Sequence, residues 1–197
     1  YWLGHVPADV RPLAGAAALE VYNSTCGRVG RACSENEWAH LLDGGWMLPA
    51  IAVDDCHRDE DALEAWTWLR LRRLNVDEVL AAVRTGASYA SCGPTVHDFR
   101  VADGTVRLRC SPAAEIHFLG TAPRGARRRA APGRSIRTFA IDRPDWPFVR
   151  AVVTDAAGRK AWTTPIVLRP RAGRAAGARP GARRTTKPRG GQRRSSR

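Results

Sequence analysis

The chain has 197 residues, 44 % of them hydrophobic, with a formal net charge of +13 and a pI near 11. That length allows one ordinary domain or two small ones, with enough apolar residues for a sizeable core, and no run of 18 apolar residues exists to span a membrane as a helix. Cysteines at 26, 33, 56, 92 and 110 include no Cys-x-x-Cys pair, which argues against a disulfide framework and a structural zinc finger and predicts reduced thiols in a cytoplasmic protein.

The chain opens Tyr1-Trp2-Leu3-Gly4-His5, with neither an initiator methionine nor a secretory pattern. Residues 16–22 read as a buried strand ending at Asn23. Ser34-Glu-Asn-Glu37 forms a capping box, with Trp38, Leu41 and Leu42 following at helical spacing and Gly44-Gly45 as the stop. Residues 46–53 form a second apolar run of strand length that ends in Asp54-Asp55-Cys56-His57. Trp66, Trp68 and Arg70 alternate with Thr67, Leu69 and Leu71, the period of a strand, and both tryptophans are expected in packing. Asn75 and Glu78 open a further helix with an apolar stripe of Val76, Val79, Leu80 and Val83, stopped by Gly86. Strand, helix, strand, strand, helix is α/β order, which favours a parallel sheet or barrel.

From about residue 96 the pattern changes. Two strands flank Asp103-Gly104, a hairpin signal, and short strands are expected over 116–119, 136–141, 149–154 and 162–168. Strands without helices predict a small antiparallel β-sandwich over 96–168, after an α/β portion over 1–95.

Charge is uneven along the chain: net −5 over 1–123, +7 over 124–168 and +11 over 169–197. Much of the middle excess lies in one expected loop, Arg124-Gly-Ala-Arg127-Arg128-Arg129. The final stretch is rich in Arg, Gly, Ala and Pro and has no aromatic residue, so it is expected to be disordered. Its charge permits weak, non-specific binding to polyanions such as nucleic acid.

Asp55-x-His57 follows directly on an apolar strand. In an extended turn, two residues spaced this way can direct a carboxylate oxygen and an imidazole nitrogen to one side. That donor set suits zinc, manganese or iron. Asp54 is a candidate to hold a ligand in place, and Glu20, also at a strand end, is a candidate extra carboxylate.

Three stretches, Leu19-Glu-Val-Tyr-Asn23, Ile51-Ala-Val-Asp-Asp-Cys-His57 and Ser88-Tyr-Ala-Ser-Cys-Gly-Pro-Thr-Val-His-Asp98, together resemble the PHP (polymerase and histidinol phosphatase) family, in the branch similar to carbaryl hydrolase. The likeness continues through Val106-Arg-Leu-Arg-Cys-Ser-Pro112 and over 149–165. It implies a distorted (β/α)7 barrel with divalent metals at the carboxyl ends of its strands. It also implies hydrolysis of phosphoester, carbamate or related ester bonds by a metal-activated water. The family's late Asp-x-His motif falls on Asp55 and His57, and Tyr1, Trp2, Tyr22 and Asn23 are candidates to line a substrate pocket. The opening His-x-His of such sequences has no counterpart here, so the chain reads as the C-terminal part of a longer enzyme, inactive alone. The competing expectations are a non-catalytic pseudoenzyme and a polyanion binder acting through its tail.

Overall fold

Phe148–Thr154, Phe-Val-Arg-Ala-Val-Val-Thr, is apolar at nearly every position rather than at alternate ones. A strand of that kind is stable only where both of its faces are covered, and its place in the computed structural model, which describes residues 15–168, meets that requirement. In chain order the described strands are β1 (Leu19–Asn23), β2 (Ala50–Val53), β3 (Trp66–Leu69), β4 (Ser88–Ser91), β5 (Val96–Ala102), β6 (Thr105–Ala113), β7 (Glu115–Leu119), β8 (Gly125–Arg129), β9 (Ile136–Asp142), β10 (Phe148–Thr154), β11 (Lys160–Thr163) and β12 (Ile166–Val167). Two α-helices, α1 (Glu35–Asp43) and α2 (Val76–Thr85), lie among them.

The main sheet runs β3-β4-β11-β10-β7-β8, with β12 beside β10, and all its pairings are antiparallel. It draws strands from both sides of residue 95. One face packs on β1, β2 and α1 through Val21, Trp38, Leu42, Ala52, Phe148 and Trp162. The other packs on an antiparallel sheet of order β5-β6-β9, where Phe118 stacks on Phe139 at 4.6 Å and meets Phe99 at 5.9 Å. β10 sits between the two, sending Phe148 and Val152 to one core and Val149, Ala151 and Val153 to the other.

The barrel expectation is corrected here. Among the described residues only β1 and β2 are parallel, and no (β/α)7 barrel is formed. The misleading segment is β3-α2-β4. Its order suits a parallel crossover, yet β3 and β4 pair antiparallel, with Trp66 opposite Ser91 and Leu69 opposite Ser88. A crossover helix must bury its apolar stripe on the sheet. In α2 only Ala82 is buried, while Val76 and Leu80 are 73 % and 44 % exposed. The local signals at its ends do hold: the Asn75 side chain accepts from the Glu78 N–H at 2.9 Å, and Gly86 ends the helix at φ 68, where a Cβ would also strike Thr164.

The basic segment read as a loop is a strand. β8 pairs with β7, and its arginines flank Glu115, with Arg127 and Arg129 each at 3.4 Å. Charged residues suit an edge strand, which otherwise invites further pairing, and this pairing cannot be read from apolar periodicity. No helix among the described residues is long and apolar enough to cross a membrane. The tail over 169–197 lies outside the described residues.

All five cysteines are free, with Cys26, Cys92 and Cys110 buried and Cys33 and Cys56 exposed. Burial pushes the Cys110 thiol up to about 11, and burial raises Cys92 as well. Burial raises the Cys33 thiol too, so a thiol reagent at neutral pH is expected to label Cys56 first in the native chain, Cys33 more slowly, and all five cysteines in denaturant. Fast labelling of Cys110 in the native state would contradict this core.

Candidate functional site

Parallel pairing places the carboxyl ends of β1 and β2 side by side, with Asn23 opposite Val53. The chain leaves β1 into a 3-10 turn over Thr25–Val29 and leaves β2 into the loop that starts at Asp54. Chemistry-bearing residues from two distant stretches thus meet at one sheet end.

Asn23 is the hub. It is 4 % exposed and uses its whole amide. Its Nδ2 donates to Glu20 Oε1 at 3.0 Å and to Asp55 Oδ2 at 3.2 Å, and its Oδ1 accepts from the Cys26 N–H at 3.0 Å. Two carboxylates therefore face one nitrogen. Asp55 adopts a left-handed backbone at φ 55, a conformation uncommon outside glycine that Asp tolerates better than most residues.

His57 is exposed, and its Nδ1 lies 2.6 Å from the Asp55 carbonyl oxygen. A carbonyl can only accept, so Nδ1 carries the proton. The lone pair of the neutral ring is then on Nε2, the form that binds metals. The backbone N–H groups of His57 and Arg58 both donate to Asp61 Oδ2 at 3.0 Å. Asp61 is 2 % exposed, and its other oxygen pairs with Arg28. Asp61 thus fixes the backbone that carries His57, although the acidic run over 59–61 offers no pattern that singles it out.

Asp54 faces the loop. Its carboxylate accepts from the backbone N–H groups of Leu63, Glu64 and Ala65 at 2.7, 2.9 and 2.6 Å, closing the segment that carries His57. Tyr22 stacks on Trp162 with ring centroids 5.6 Å apart, and burial raises its pKa. It belongs to the packing between β1 and the main sheet. Tyr1, Trp2 and His5 lie outside the described residues.

Behind this end of the fold lies an ion cluster that no motif announces. Glu35 Oε1 pairs with Arg150 at 3.3 Å, and Oε2 accepts from Lys160 Nζ and Trp162 Nε1, each at 3.1 Å. The Arg150 guanidinium also lies 4.5 Å from the Trp38 ring centroid. Burial pushes the Glu35 carboxyl up, but the Trp162 indole, Arg150 and Lys160 outweigh it and hold the carboxyl below its usual range. Ser34, expected to cap α1 with its side chain, makes no such bond. Its neighbour Glu35 instead ties the helix to β10 and β11.

Glu20, Asp55 and His57 offer the oxygen and nitrogen donors that divalent cations take. Yet among the described residues no three His, Cys, Asp or Glu side chains converge closely enough to hold a metal ion. Two clefts of about 700 and 630 Å3 lie in the fold, and both are lined by other residues. The chain matches no family model, no curated protein and no solved structure.

Proposed function

We propose that the end of the β1–β2 pair is one side of a divalent-metal site in a hydrolase acting on phosphoester or carbamate/ester bonds, with zinc, manganese or iron as the metal. The observation that carries this reading is the convergence of Glu20 and Asp55 on one Asn23 nitrogen, beside an imidazole whose Nε2 is left as its lone-pair atom. The donors are of the right chemistry but too few for a closed site. Asp55 and His57 would hold the metal, with Glu20 as a further carboxylate, and the metal would supply an acidified water and polarise the scissile group. The chain's own residues prepare the place. Asn23 keeps both carboxylates aimed at one point, Asp55 fixes the imidazole tautomer through its carbonyl, and Asp61 pins the loop backbone.

A manganese titration followed by electron paramagnetic resonance tests this. One weak site is expected, weakened about tenfold or more by Asp55→Ala and by His57→Ala. Asn23→Asp replaces the amide with a third carboxylate, so it should lower the melting temperature without metal and recover on adding manganese. Binding that ignores all three substitutions, or no saturable binding, would end the proposal. An aryl phosphate and an aryl carbamate should show no metal-dependent turnover by this chain. Turnover would show that its own residues complete the site.

A further inference from the structure

The two clefts are neighbours, and His97 and Asp98 line both. The first, about 700 Å3, lies between the β3–β4 edge of the main sheet and β5, and Trp68, Arg70, Tyr89 and Phe99 are in its wall. Trp68 and Tyr89 are cross-strand partners stacked at 6.2 Å with 21° between their planes. Tyr89 backs the indole on one side, while Trp68 remains 46 % exposed. A tryptophan held rigid on an edge strand yet left open presents an unused aromatic surface.

The second cleft, about 630 Å3, lies over the outer face of the small sheet and is lined by Arg100, Arg107, Arg109 and Arg128. Arg100 and Arg107 stand directly opposite each other across β5 and β6. Like charges in that register destabilise a sheet. The one carboxylate in the cleft, Asp98, pairs with Arg100 at 2.9 Å, and Arg128 donates to the Thr138 carbonyl at 3.0 Å. Among the described residues neither Arg107 nor Arg109 has an ion-pair partner. These two stand about 7 Å apart along β6, since residues two apart on a strand share a face. That spacing suits two separate anionic groups.

We infer that the joined clefts bind single-stranded nucleic acid, with phosphates along the arginine row and a base on the open face of Trp68. A basic groove beside an aromatic platform is the arrangement that such strands require. A duplex keeps its base faces covered and would leave Trp68 unused. The inference stands on residues other than the proposed metal site and owes nothing to the tail.

The test is fluorescence anisotropy of the full chain with a labelled oligothymidylate of about eight nucleotides. Arg107→Gln/Arg109→Gln should weaken binding and reduce the slope of log affinity against log salt by about 1.4. Trp68→Ala should weaken binding about 5- to 100-fold with the slope unchanged, and Trp68→Phe should retain most of the affinity. Circular dichroism melts check that each variant folds. Affinity unmoved by either the arginine pair or Trp68→Ala would overturn the inference, the first pointing to the tail and the second to charge alone. AMP binding as tightly as the oligonucleotide would overturn it as well.

Discussion

Glu35→Gln is expected to destabilise the chain by about 3 kcal/mol, because it removes the counter-charge of a buried arginine. The Arg150 side chain is only 5 % exposed in the middle of β10. Lys160, 40 % exposed, can turn outward, so most of the loss falls on Arg150. For a chain of this size that corresponds to a fall in melting temperature of about 10 °C. The double variant Glu35→Met/Arg150→Met should recover much of the loss, since a buried pair replaced by apolar side chains costs far less than a pair with one partner missing. The pH dependence has a definite sign. The folded Glu35 carboxyl lies below the usual range of a free glutamate, so its contribution is complete above that range and is lost as pH falls through the lower, folded one. Acid denaturation curves of the wild type and Glu35→Gln should therefore converge in that range. Parallel curves down to the acid limit would remove the cluster from the account of stability.

Asp54→Ala is expected to cost about 2 kcal/mol and to abolish manganese binding, although Asp54 is not among the proposed ligands. Its carboxylate accepts three successive backbone N–H groups. Leu63 and Glu64 are exposed, and water can replace the carboxylate there, but Ala65 is 4 % exposed and its N–H would be left without a partner. The loop between β2 and β3 would then open, and the left-handed turn at Asp55 would relax. Asp54→Asn keeps one acceptor oxygen and should fall between the two. Hydrogen exchange at Ala65 reads the loop directly. Unchanged protection there in Asp54→Ala would show that the loop is held by something else.

The parts of the fold legible in the sequence are those whose cause is local. Asn75 and Glu78 announce a helix start, and Asp103-Gly104 announces a hairpin whose two residues take positive φ at 49 and 70. The pairing of β3 with β4 was not legible, because a helix between two strands is compatible with either direction. What decides is how α2 packs, and its half-exposed stripe does not bury itself as a crossover would. At the site, strand-end logic identifies Asp55 and His57 as candidates, whereas Glu20, named on the same ground, is the second residue of β1 and meets the site through the Asn23 side chain. It does not identify Asp61, whose role depends on where a loop folds back. Nor does it identify Glu35 as the partner of Arg150, a residue 115 positions away. Trp68, expected in packing from its alternation with Thr67 and Leu69, lies on an edge strand with an open face. Alternation assigns residues to faces but cannot say which face is covered.

β10 leaves the two halves of this molecule little independence. Each second residue along it belongs to a different packing layer, so neither layer can loosen without stripping the same backbone of its neighbours. The carboxyl end of the β1–β2 pair and the arginine-lined groove therefore share one fate on heating. A fault introduced under either is felt by both, through a single shared spine rather than through any signal passed between them.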